Sequence, residues 1–87
     1  MNIKSVKWID KNVIEVIVQY GGGCKRHIIT YDIYTEQNVV IVNMKHEQPD
    51  GRDICRALIS QSIEVIIPER YKNLRVEVRS KNQSYIL

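Results

Sequence analysis

Leu74-Arg75-Val76-Glu77-Val78-Arg79 alternates apolar and charged residues without a fault. A strand turns successive side chains to opposite faces, so this stretch predicts a β-strand with one dry face and one wet face. The same period of two recurs upstream. Ile14, Val16, Val18 and Tyr20 form one face of another strand, with Glu15 and Gln19 on the other face and Ile17 between them. Residues 26–34 carry Ile28, Ile29, Tyr31, Ile33 and Tyr34, the β-branched and aromatic types that fit a pleated surface. Residues 39–42, Val-Val-Ile-Val, are apolar on both faces and predict a buried central strand. Ile63-Glu64-Val65-Ile66-Ile67 continues the pattern and stops at Pro68, which has no N–H for a ladder.

The breaks between these runs are turn sequences. Asp10-Lys11-Asn12 separates residues 6–9 from the strand that follows and reads as a hairpin turn. Gly21-Gly22-Gly23 ends that strand as a bulge or turn needing positive φ. Glu36-Gln37-Asn38 is the next turn, and Gln48-Pro49-Asp50-Gly51-Arg52 is the longest polar loop. Ser80-Lys81-Asn82-Gln83 returns the chain so that Tyr85-Ile86-Leu87 pairs as a last short strand. Residues 53–60 read two ways: a short helix near 53–59 with Asp53 as N-cap and Ile54 and Leu58 on one face, or a strand with Cys55, Ala57 and Ile59 on one face. The strand is preferred. The expected fold is all-β, a small antiparallel β-sandwich of six to seven strands forming one domain over residues 1–87. Its expected core is Ile14, Val16, Val18, Ile29, Val40, Val42, Val65, Val76 and Val78.

With 87 residues the core is thin, and a staple such as a disulfide or a metal carries more weight than in a larger protein. The 44% hydrophobic content argues against disorder. The net charge of +3 is mild, and acids interrupt the bases, as in Glu69-Arg70-Tyr71-Lys72. A nucleic-acid footprint shows a denser basic stripe, so the charge argues against such a partner. No apolar run reaches the ~18 residues of a membrane span. The opening, Met1-Asn2-Ile3-Lys4-Ser5-Val6-Lys7-Trp8, has no apolar signal-peptide core. Two compartments fit: the cytoplasm, or the cell envelope, periplasm or exterior for a secreted domain whose export signal has been removed.

Four residues have the chemistry for a site: Cys24 and His27 at C-x-x-H spacing, then His46, then Cys55. Each lies near the end of a predicted strand, and strand ends cluster at the poles of a β domain. Three readings stand side by side. Cys24 and Cys55 form a disulfide, which is the leading reading. Cys24, His27, His46 and Cys55 form a zinc site; the ligand types suit zinc, but only Cys24 and His27 make a close knuckle. Or the four are two buried thiols and two ordinary polar histidines. Catalysis by a Cys–His pair needs a base, an orienting group and an oxyanion hole, and a thin domain has little room for them. Gly21-Gly22-Gly23 is not a phosphate loop, because no G-K-[ST] follows. Glu47, Asp50 and Asp53 lack the ligand pattern of a calcium loop and read as a solvated acidic turn. Tyr31, Tyr34, Tyr71 and Tyr85 read as half-buried strand residues with wet hydroxyls.

The run Val16-Ile17-Val18-Gln19-Tyr20-Gly21-Gly22-Gly23-Cys24-Lys25-Arg26-His27, then His46, then Asp53-Ile54-Cys55-Arg56-Ala57-Leu58-Ile59, resembles NigD-like domains and similar small lipoprotein domains of Bacteroidetes-type bacteria. The resemblance covers roughly residues 13–79 and rests on the ordered set of Cys24, His27, His46 and Cys55. It implies an exported bacterial β-sandwich with paired cysteines, and it implies no activity. The chain departs from that pattern in lacking an export signal and a lipid-anchor cysteine, and in carrying Asp50-Gly51-Arg52-Asp53 where a more acidic loop belongs. The functional expectation is a non-catalytic binding or structural module of the cell envelope, with a protein or cell-surface partner and no cofactor. The alternatives are a small cytosolic inhibitor or nucleic-acid-associated protein, and a zinc-binding domain.

Overall fold

The hairpin at Asp10-Lys11-Asn12 joins β1 (Asn2–Asp10) to β2 (Val13–Gly22), which pair antiparallel with bulges between Ile3 and Ser5 and between Trp8 and Asp10. A second hairpin joins β3 (Ile28–Glu36) to β4 (Val39–Glu47). Its two linking residues, Gln37 and Asn38, have φ of 52° and 66°. Two consecutive left-handed residues give the turn whose twist matches that of the flanking strands. The remaining strands are β5 (Ala57–Ile66), β6 (Arg75–Arg79) and β7 (Ser84–Ile86). The computed structural model describes residues 1–48, 51 and 53–87. Pro49, Asp50 and Arg52 of the long polar loop lie outside the described residues.

Among the described residues, seven strands form two sheets, ordered β1-β2-β5 and β3-β4-β6-β7. The inner faces share one core. Ile3, Ile14, Val16, Val18 and Val65 come from the first sheet; Val40, Val42, Met44, Val76 and Val78 come from the second. Eight of the nine expected core residues are in this cluster, and the ninth, Ile29, packs half-buried against it at the edge of the second sheet. Each fully buried Val or Ile contributes roughly 1.5–3 kcal/mol of transfer free energy. The both-faces-apolar run at 39–42 is indeed internal: β4 lies between β3 and β6, and Ile41 is buried on the face away from the core.

Two expectations are corrected. The sandwich is not wholly antiparallel, because β4 and β6 run parallel, Val40 opposite Val76 and Val42 opposite Val78. Parallel neighbours need a long crossover, and the segment holding β5 and the 3-10 turn Glu69–Tyr71 supplies it. The strand preferred for residues 53–60 is present from Ala57 onward, but residues 53–56 are neither helix nor strand, and the one helical turn among the described residues lies at Glu69–Tyr71 and not near 53–59. The reason is Asp53, whose carboxylate caps no helix but turns into the fold.

Gln83, in the turn before β7, ties the sheets at one edge. Its Oε1 accepts from Ile3 N–H at 2.7 Å and its Nε2 donates to Ile3 C=O at 3.2 Å, a side-chain copy of a strand pair. Tyr85 adds a hydroxyl bond of 3.0 Å to the same carbonyl.

Candidate functional site

Tyr20-Gly21-Gly22 ends β2, His27 precedes β3, His46 lies near the end of β4, and Asp53 and Cys55 precede β5. The topology therefore gathers these strand ends at one pole. Gly22 and Gly23 hold φ of 149° and 115°, which folds the chain over the pole as the triple glycine predicts. A Cβ on Gly22 would meet the Asp53 carboxylate and lie 2.6 Å from His27 Nε2, so only glycine lets the backbone approach so closely.

Cys24 and Cys55 face each other at disulfide distance, with Cα atoms 5.4 Å apart, inside the range a bridge requires. Asp53 binds the backbone around them. Its Oδ1 accepts from Cys55 N–H at 3.1 Å and Cys24 N–H at 3.4 Å, and its Oδ2 accepts from Gly23 N–H at 3.2 Å. The same Oδ2 lies 2.7 Å from His27 Nε2. That imidazole bond, supported by the backbone donors, holds the Asp53 carboxyl down to about 2. Asp53 is thus no solvated acidic turn.

The chain of polar contacts runs on through both histidines. His27 Nδ1 is 2.8 Å from His46 Nε2, and His46 Nδ1 is 3.4 Å from the Gln48 amide nitrogen. With both rings neutral, one tautomer set satisfies every atom. His27 Nε2–H donates to Asp53, His46 Nε2–H donates to His27 Nδ1, and the Gln48 amide donates to His46 Nδ1. Tyr20 closes the outer wall, stacked on His27 at 4.7 Å between centroids and 5.0 Å from His46. Its hydroxyl donates to Gln61 Oε1 of β5 at 3.2 Å. Burial pushes the His46 imidazolium down from its ordinary value, with positive charge nearby adding to the effect.

The four residues singled out by type are all brought to this pole, but not as a zinc tetrahedron. The two sulfurs face each other, and each histidine spends a ring nitrogen on the other. Among the described residues the ligand atoms that converge within 4.8 Å are those of Cys24, Asp53 and Cys55, which leaves out both histidines. Asp53 and Tyr20 are the members that residue type did not disclose. The signal was available, because an Asp two residues before Cys55 sits where a side chain can cap the cysteine's own N–H. A polar cleft of about 490 Å³ opens beside His46, between Asn43, Gln48, Ser80 and Asn82; neither cysteine lines it.

The fold and the cluster define a small, two-sheet β domain with one pole pinned by a half-buried Asp–His–His chain. Comparison with family models, curated proteins and solved structures finds no match to the chain. No helix among the described residues is long and apolar enough to cross a membrane.

Proposed function

We propose that this chain is a non-catalytic binding or structural module of the cell envelope, with a protein or cell-surface partner. The observation that carries the reading is what Asp53 does with its carboxylate. Both oxygens are engaged by the Gly23, Cys24 and Cys55 backbone and by His27. A carboxylate or imidazole acting as general acid or base needs a lone pair or proton facing substrate; the Asp53 carboxylate instead holds the two cysteine segments together. The thiols are turned on each other, which removes the obvious nucleophile. A cysteine pair at disulfide distance in a domain of this size supports an oxidising compartment, as does the resemblance carried by Cys24, His27, His46 and Cys55.

The test is thiol trapping in the native host. Cells are quenched with an alkylating agent and fractionated, and the chain's mass and compartment are read. Bridged cysteines in an envelope or secreted fraction support the reading. Two alkylated thiols in the cytoplasm overturn it in favour of a cytosolic inhibitor or nucleic-acid-associated protein. Salt-sensitive retention on DNA then separates those two. Stoichiometric zinc in the purified chain favours a zinc-binding domain.

A further inference from the structure

β5 ends its sheet, and among the described residues it pairs only with β2. Its ten residues follow β2 without a register shift. Such a strand leaves a straight row of backbone donors and acceptors along its outer side. The other edges are blunted. β1 carries two bulges and the charges Lys4, Lys7 and Asp10; β7 has three residues. β3 has Asp32 at its centre, so pairing β3 with a copy of itself about that residue sets two carboxylates face to face.

The sequence of β5 reads the same in both directions about Gln61: Ile59-Ser60-Gln61-Ser62-Ile63. From this palindrome on an open edge we infer that two copies of the chain pair β5 against β5 across a two-fold axis at Gln61, joining two three-stranded sheets into one of six. In an antiparallel pair centred there, Gln61 meets its own copy, Ser60 meets Ser62, and Ile59 meets Ile63. A two-fold interface must be self-complementary, and a palindromic strand meets that condition residue by residue. The half-buried Ile59 and Ile63 point to the core side of their sheet and cover one another across the axis. On the outer face Leu58 meets Glu64, and Arg56, one residue before the strand, stands diagonal to that same Glu64. The symmetric contact therefore offers two attractive charge pairs and sets no like charges opposite each other.

Ser60 and Ser62 are exposed on the outer face, away from the core, and suit a register test. An equimolar mixture of S60C and S62C is mildly oxidised and compared with each variant alone. The inference predicts a cross-linked dimer in the mixture well above either separate sample. Sedimentation equilibrium of the native chain, in a dilution series up to roughly 1 mM, is expected to show a reversible dimer. S60K/S62K sets lysines opposite lysines and is expected to raise the dissociation constant roughly tenfold or more, with an unchanged circular dichroism spectrum. A monomer throughout the series overturns the inference. So does a dimer that S60K/S62K leaves intact, or self-linking of S62C that exceeds the mixture.

Discussion

His27 Nε2 and Asp53 Oδ2 lie 2.7 Å apart, with 2% and 7% of the two side chains reaching solvent. The contact joins two nearly sealed side chains 26 positions apart, and it has a defined response to acid. The Asp53 carboxyl falls from 3.8 to about 2, first through the His27 bond and then through backbone donors. A folded pKa below the unfolded one gives stability that is fully present above the unfolded value and is lost as pH falls through the folded one. Asp53→Asn is therefore expected to lower the thermal midpoint at pH 7, and the gap to the native chain is expected to close between about pH 4 and pH 2. Thermal melts of both proteins across that range check it; a gap that stays constant to pH 2 removes Asp53 from the acid response.

Reduction of the Cys24–Cys55 pair gives a second outcome. The sequence separation is 31, and closing a loop of that length stabilises a fold by about 3–4 kcal/mol in the chain-entropy model. Denaturant midpoints with and without reductant are expected to differ accordingly, and intact mass is expected to rise by two hydrogens on reduction. Identical midpoints together with an unchanged mass exclude the bridge.

Gly22→Ala tests how close the pole is packed. The φ of 149° and the nearness of Asp53 and His27 to any added carbon both oppose a Cβ here. The expected cost is roughly 1–3 kcal/mol. Gly21→Ala, where nothing lies within 4 Å of the added carbon, is expected to cost far less and serves as the control. Equal losses at the two positions contradict the close approach.

Gln83→Ala removes the side chain that pairs with both backbone groups of Ile3. Leaving the partly buried Ile3 N–H unsatisfied, while the Tyr85 hydroxyl still serves the carbonyl, is expected to cost about 1–3 kcal/mol, read as a drop in denaturant midpoint. Amide exchange at Ile3 is expected to accelerate in the variant. Unchanged protection at that amide shows that the bond is not what joins the sheets there.

Alternation made most strands legible, because burial of one face leaves its period in the residues: Val76 and Val78 point in, and Arg75 and Glu77 do not. Turn chemistry was legible for the same local reason at Asp10-Lys11-Asn12 and Gln37-Asn38. Partner choice was not. Nothing in Val40 or Val76 states that their strands lie parallel, since either direction buries the same face. At the pole, residue type identified Cys24, His27, His46 and Cys55 but not Asp53; its place two residues before Cys55 signals a cap on that N–H, whereas its bond to His27 depends on the chain reversal at Gly22.

The parallel contact between β4 and β6 also sets the order in which the molecule can assemble. The β1–β2 and β3–β4 hairpins close over two-residue links and form early, on the microsecond scale typical of hairpins, about 1–10 μs. Pairing Val39 with Arg75 has to wait until the intervening chain has been placed, because its loop-closure entropy is lost before any contact offsets it. Until then β4 keeps one naked edge, and its Val-Val-Ile-Val run is the stretch a crowded cell must shield while the chain is being made.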